Sequence, residues 1–339
     1  MNQRRVAVDA MGGDHAPAAV IEGSVAAARE LGIAVTLVGD EAVIRRELGR
    51  HGAAPPALKI EHAPAAVAMD EHATAGLRHR RDTSLAVGVG LVKDGRAGAF
   101  VSAGNSGATM AVATMLLGRQ PGIERPALGT VFPSERGRFL LLDVGANADA
   151  RPSYLVQFAE LGRGYAERVL RVGRPRVGLL NIGEEPGKGS EFAREVHERL
   201  AACPGLNFIG NIEGKDLTRG LADVVVTDGF TGNVAIKTAE GVAEFIMREL
   251  RGALTSRLRY KLAALALRPA LLALRGRIDY AEYGGAPLLG LNGAVLISHG
   301  RSNARAIRSA VRAAQEAAAL DWPAPAQASS RAAGSGEAS

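Results

Sequence analysis

The 339-residue chain contains a single cysteine, Cys203. One cysteine can neither close an internal disulfide nor build a cysteine-rich metal site. With Pro204-Gly205 behind it, Cys203 reads as a loop or core thiol and not as a nucleophile. Aromatic residues make up only 4% of the chain, so the core must be built from Ala, Val, Leu and Gly, which suits close packing of helices on a sheet. No run of about 18 uncharged apolar residues occurs, which argues against a membrane-spanning helix. No apolar segment follows Met1-Asn-Gln-Arg-Arg5 either, and the expectation is a cytoplasmic chain without a signal peptide. Several chemical signatures are missing too. The first strand is not followed by Gly-x-Gly-x-x-Gly, and there is no His-Glu-x-x-His, Cys-x-x-Cys or Gly-x-Ser-x-Gly. Gly183-Glu-Glu-Pro-Gly-Lys188-Gly-Ser190 has the look of a phosphate loop but the wrong spacing. His62, His72 and His79 lack metal-ligand spacing. The expectation is therefore no cofactor, no metal and no covalent serine or cysteine intermediate.

What is present is apolar material, 47% of the chain, and a formal net charge of +6. The charge suits an acidic partner without choosing among nucleic acid, an anionic membrane, a phosphorylated ligand and an acidic protein. Apolar runs alternate with helical patterns. Strands are predicted at 6–9, 34–39, 98–102, 139–143, 176–182, 207–210, 224–227 and 294–298. Helices are predicted at 18–31, 40–49, 84–93, 107–117, 153–170, 190–201, 231–250 and 303–320. This rhythm predicts an α/β fold with a mainly parallel sheet and helices on both faces. Residues 1–320 read as one catalytic domain, and the Pro/Ala/Ser/Gly-rich stretch 321–339 as a disordered tail.

The polar residues gather just after the predicted strands. Asp9 precedes Gly12-Gly13-Asp14-His15, and Ser102 precedes Gly104-Asn105-Ser106-Gly107. Asp143 precedes Gly145 and Asn147, Asn181 precedes Gly183 and Lys188, and Asn211 precedes Glu213-Gly214-Lys215. Asp228-Gly229 leads to Asn233, and Ser298-His299-Gly300 closes the series. Ligands of open α/β sheets bind beyond the carboxyl ends of strands, where glycine lets backbone approach and helix starts favour anions. One such turn needs only turn chemistry to explain it; seven together predict a shared polar site. In the first, Pro17 suits a helix start, and Asp14 is read either as a cap or as a site residue.

These segments resemble the acyl-ACP:phosphate acyltransferase family (PlsX). The resemblance rests on 9–17 (Asp-Ala-Met-Gly-Gly-Asp-His-Ala-Pro), 101–108 (Val-Ser-Ala-Gly-Asn-Ser-Gly-Ala), 142–147 (Leu-Asp-Val-Gly-Ala-Asn) and 178–189. It continues through 210–216, 223–233 (Asp-Val-Val-Val-Thr-Asp-Gly-Phe-Thr-Gly-Asn), 283–294 and 298–302. It runs from about residue 5 to 320. Two departures are small: Ser106 stands where the family usually has Thr, and a proline often found after Asp70-Glu71 is missing. The resemblance implies a Rossmann-like three-layer fold related to phosphate acetyltransferases and isopropylmalate dehydrogenases. It implies a homodimer that moves a fatty acyl group from acyl carrier protein to inorganic phosphate. The acyl phosphate would pass to a membrane glycerol-3-phosphate acyltransferase. Nucleic acid is not an expected partner. Rival readings are an acyl-CoA-dependent phosphate acyltransferase and an isopropylmalate-type dehydrogenase.

For that reaction the protein must position phosphate, screen its charge and stabilise an oxyanion. Lys188 is the first candidate for the cation. Asn181, Asn211 or Asn233 would donate to the carbonyl oxygen, and His15 or His299 would move a proton. Asp228 joins this catalytic set with Asp9 and Asp143 as orienting carboxylates. Gly12, Gly13, Asp14, Ser102, Gly104, Asn105, Ser106, Gly107, Asn147 and Gly229 complete the predicted substrate-binding surface.

Residues 248–277 form a basic helical segment with eight Lys or Arg and only Glu249 against them. Leu254, Leu258, Leu262 and Leu265 fall on one helix face, and Pro269 should kink it. Packing against a dimer mate, lying on an anionic membrane surface and docking acyl carrier protein all fit this pattern. Arg78, Arg80 and Arg81 form a second basic cluster suited to the carrier.

Overall fold

The computed structural model describes residues 5–71, 80–271 and 284–319. The predicted tail at 321–339, His72, Arg78, His79 and the end of the basic segment at 272–277 lie outside the described residues. Eleven strands form one sheet: β1 (Val6–Asp9), β2 (Val35–Gly39), β3 (Leu58–His62), β4 (Ala99–Ser102), β5 (Ala127–Ser134), β6 (Gly137–Leu142), β7 (Val177–Leu180), β8 (Phe208–Ile212), β9 (Val224–Val226), β10 (Ala286–Leu289) and β11 (Ala294–Ile297). The strand order is β3-β2-β1-β4-β11-β10-β5-β6-β9-β7-β8. The helices that position the site are α1 (Ala18–Glu30), α2 (Glu41–Leu48), α3 (Ser84–Lys93), α4 (Ser106–Leu117), α5 (Pro152–Arg168), α6 (Glu191–Ala201), α7 (Gly229–Thr255), α8 (Leu258–Ala266) and α9 (Ala304–Ala318).

The eight predicted strands and eight predicted helices all form, with ends shifted by a few residues. β3, β5 and β10 were not predicted. Leu58-Lys-Ile-Glu-His62 alternates as an edge strand, β5 carries Gly129 and Pro133, and β10 is four residues long with a proline inside. Such strands are made by their neighbours more than by propensity. The helix starts are local: Asp40, Thr83, Asn105, Ser190, Asp228 and Asn303 each accept the N–H of the third residue on.

β1, β2, β3, β4 and β11 are mutually parallel, and so are β6, β7, β8 and β9. Between the two sets, β11–β10, β10–β5 and β5–β6 all pair antiparallel. Three reversals are an odd number, so the two parallel sets run in opposite directions. The turns after them therefore cannot line one edge of the sheet as a single row. The core follows the same division. Around the first set, Ile21 and Val25 of α1 and Ile307 and Val311 of α9 cover one face, while Leu85, Val89 and Val112 of α3 and α4 cover the other around Phe100. Around the second set, α5 lays Leu155, Phe158 and Tyr165 on Leu140, Leu142 and Val224. Truncating a fully buried Leu such as Leu142 to Ala should cost about 2–5 kcal/mol.

Candidate active site

The first group of turns is tied together by Asp9, which is almost wholly buried. Its carboxylate accepts the Ser102 hydroxyl at 2.8 Å and the Met11 N–H at 3.1 Å. Ser102 Oγ in turn accepts the Gly104 N–H at 3.0 Å. Burial pushes the Asp9 carboxyl above the ordinary range against the pull of these donors, which include Ser84. Gly12 fits because nothing larger does: a Cβ there would lie 2.4 Å from Asp9 Oδ2 and 2.8 Å from Gly104 N. The turns after β1 and β4 thus touch through bare backbone. The turn after β11 joins them where the Asp14 N–H donates to the Gly300 carbonyl at 2.8 Å.

Asn105 caps α4 through Oδ1 to Ala108 N–H, and its Nδ2 donates to the Met69 and Glu71 carbonyls at 3.0 and 2.8 Å. Its amide is therefore committed to holding the 69–71 loop over the site. Ser106 and Gly107 are the first residues of α4, with Ser106 exposed. Asp14 and His15 are exposed, and α1 has no side-chain cap, so Asp14 does not cap it.

In the second group Asp143 is fully buried and acts as a hub. One oxygen accepts N–H groups of Leu128, Gly145 and Ala146 at 3.1, 3.2 and 3.0 Å; the other accepts the Asn147 N–H at 2.7 Å and Nδ2 at 2.8 Å. Burial again pushes this carboxyl up while the donors oppose it. The turn after β6 meets α7 at several points. Gly229 N–H donates to the Asn147 carbonyl at 2.8 Å, and Asn233 Nδ2 to the Val144 carbonyl at 3.0 Å. Asp228 caps α7 at Thr231 N–H, 2.8 Å.

Beside it, the 181–190 loop folds back on its own backbone. Asn181 Nδ2 donates to the Lys188 carbonyl at 3.1 Å, and Asn211 Nδ2 to the Glu185 carbonyl at 2.8 Å. Asn211 Oδ1 lies 2.9 Å from His197 Nδ1. The buried Asn211 amide thus supports the loop from below. Lys188 is exposed on the loop, its stem crossing above Gly183.

Two features connect the groups. α7 starts in the second group and runs past the turn after β11, where Glu244 Oε1 lies 3.7 Å from Arg301 Nη2. His299 sits in that turn. Burial pushes its imidazole below the ordinary range, Lys237 of α7 and Arg301 push the same way, and Glu240 and Asp14 oppose.

Residues 4–324 match the family described as fatty acid synthesis protein. The chain belongs to this family. It is 52% identical over 307 residues to the phosphate acyltransferase of Thermus thermophilus, covering 91% of this chain and 92% of that one. It is 49% identical over 312 residues to the phosphate acyltransferase of Geobacter sulfurreducens, covering 92% and 90%. Solved structures with this fold include a phosphotransacetylase from Streptococcus pyogenes, with a TM-score of 0.62, 19% identity and coverage of 93% and 94%. A 4-hydroxythreonine-4-phosphate dehydrogenase from Klebsiella pneumoniae has a TM-score of 0.51, 16% identity and coverage of 94% and 98%. The protein is an acyltransferase, a phosphate acyltransferase of fatty acid and phospholipid synthesis, on a mainly parallel, Rossmann-type α/β fold.

Within this acyltransferase the structure gathers Asp9, Gly12, Gly13, Asp14, Ser102, Gly104, Asn105 and His299 at one group of turns, and Asp143, Asn147, Asp228, Gly229 and Asn233 at the other. Asn181, Lys188 and Asn211 form a third patch next to the second, since β7 and β9 are neighbours. Sequence reasoning missed Ser84, the 69–71 loop and Lys237. The signal for Lys237 was available: it lies four residues after Asn233 on a helix, hence on the same face.

Proposed function

We propose that this acyltransferase moves a fatty acyl group from acyl carrier protein to inorganic phosphate, releasing acyl phosphate for phospholipid synthesis. The observation that carries the reading is the pair of turn groups built from buried carboxylate hubs, each presenting helix starts and glycine backbone, with Lys188 exposed beside the second. Asp9 and Asp143 face inward onto hydroxyl and N–H donors, so neither opposes an incoming anion at close range. A phosphate oxygen attacks the thioester carbonyl carbon, the C–S bond breaks, and the proton of the attacking phosphate ends on the departing thiolate. The helix start of α7 and the Lys188 ammonium beside it hold the phosphate. Asn233 orients the turn after β6, and His299 donates to the reacting thioester. Cys203 fits no nucleophile role: burial pushes its thiol up to about 11, and it bonds to Glu160.

Phosphate with acyl carrier protein thioester should yield a product that hydroxylamine traps as an acyl hydroxamate. Acyl-CoA should support at least about tenfold less product, a difference of about 1.4 kcal/mol in transition-state binding. Equal rates with acyl-CoA would overturn the carrier assignment. Lys188→Ala should lower the rate about 100-fold, the order seen when one preorganised donor is lost. Wild-type rates in both Lys188→Ala and His299→Ala would sink the residue assignment.

A further inference from the structure

Residues 66–71 cross the first group of turns as a strap with three pins. Just before it, the Ser84 N–H donates to the Ala65 carbonyl at 2.9 Å. Arg80 then holds both ends: its Nη2 donates to the Ala66 carbonyl at 2.9 Å and its Nη1 lies 2.7 Å from Glu71 Oε1. The third pin is Asn105, whose Nδ2 donates to the Met69 and Glu71 carbonyls at 3.0 and 2.8 Å. A side-chain amide has two N–H donors. Both are committed to the strap, so Asn105 has none left for a ligand.

The strap carries Met69. A Cβ built on Gly300 would lie 2.8 Å from Met69 Cε and 3.3 Å from each Asp14 carboxylate oxygen. The methionine methyl therefore rests on bare backbone in the turn after β11, one residue from His299. Met69 is nevertheless 42% exposed. The other exposed side chains of these turns, Asp14, His15 and Ser106, are polar. An apolar, unbranched thioether among them is suited to an alkyl chain: it adapts its shape, and covering its remaining surface is favourable. Phosphate gains nothing from such a contact, whereas a fatty acyl thioester does.

We infer that Met69 is a specificity-determining residue that packs on the acyl chain beside the thioester, and that Asn105 is the positioning residue that sets it there. The inference rests on the acyl-transfer reading above. It adds a division of labour, with the acyl donor at the first group of turns and phosphate at the second.

Steady-state kinetics with both substrates varied test the division. Met69→Ala, an exposed truncation, should raise KM for the acyl thioester about tenfold and leave KM for phosphate and kcat within about twofold. Met69→Leu should stay close to wild type. Asn105→Asp keeps the oxygen that caps α4 at the Ala108 N–H but sets its second oxygen against two carbonyls. It should raise the same KM at least as far. Gly300→Ala should push the methyl aside and raise that KM too, with little further effect once Met69 is already Ala. An unchanged thioester KM in Met69→Ala, or equal rises for both substrates, would overturn the inference, and a wild-type KM in Asn105→Asp would overturn the positioning role. A second arm needs no turnover. The chain has six methionines, so the Met69 methyl resonance is assignable by its loss in Met69→Ala. It should shift when acyl carrier protein thioester is added without phosphate, and not with phosphate alone. A shift with acyl-CoA but not with the carrier thioester would support the Met69 contact while overturning the carrier assignment. No shift with either thioester would overturn the contact itself.

Discussion

At the residue scale the distinctive groups are two buried carboxylates that hold turns in shape. Asp9 and Asp143 each sit in a ring of donors, and burial still wins, pushing both carboxyls up. The linkage sign follows. A carboxyl whose folded pKa is raised binds more protons folded than unfolded, so its contribution to stability is full below the unfolded pKa and is lost as pH rises through the folded one. Asp9→Asn removes that penalty. Its stability relative to wild type, read from urea midpoints, should therefore climb as pH rises above the ordinary carboxylate range. A flat difference would place the Asp9 carboxyl at its ordinary value. Asp223 behaves oppositely: burial pushes it up, but its Arg176 contacts outweigh this and hold it below the ordinary range. Its contribution is present at neutral pH and lost as pH falls.

At the element scale, close backbone approach decides where helices can sit. α7 enters the second group over Gly232, where a Cβ would lie 1.9 Å from the Asp143 carbonyl oxygen. No side-chain adjustment relieves a contact with backbone. Gly232→Ala should cost about 2–4 kcal/mol in thermal or chemical unfolding and displace Asn233 and Lys237 together. Retained stability and activity would show that the helix start can shift as a body. Most of the elements were legible from apolar period and caps, because Asp40, Asn105, Ser190 and Asp228 act on residues three positions away. β3, β5 and β10 were not, because an edge strand, a proline-bearing strand and a four-residue strand draw their stability from partners distant in the chain.

At the scale of the whole molecule, α7 and α8 form an arm with little of its surface covered. Gly229 and Gly232 are the only buried residues of α7, and α8 buries none. Leu258, Leu262 and Leu265 are 75%, 62% and 68% exposed. Among the described residues no helix is long and apolar enough to cross a membrane. Arginines beside this leucine face suit an anionic lipid surface. Leu258→Glu/Leu262→Glu should abolish flotation of the protein with vesicles containing anionic lipid while leaving acyl transfer within about twofold, as expected of exposed substitutions. Unchanged flotation would assign the face to a second copy of the chain or to the carrier protein.

The sequence by itself determined the α/β alternation, the helix caps and the clustering of Gly, Asp and Asn after strands, since each is a matter of local period and turn chemistry. The motifs were specific enough to imply the family to which the chain belongs. Only the tertiary structure decided which of those polar residues turn inward and which face outward. Asp9 is spent on the Ser102 hydroxyl and its own turn, Asp143 on Leu128 and the turn that follows it, and Asn105 and Asn211 on carbonyls of distant loops. It also decided that the turns form separate groups, because the direction of a parallel set depends on the number of antiparallel pairings between distant strands. Helical spacing could have placed Lys237 on the Asn233 face, but the approach of α7 to the turn after β11, where Glu244 meets Arg301, required the sheet to bring distant segments together.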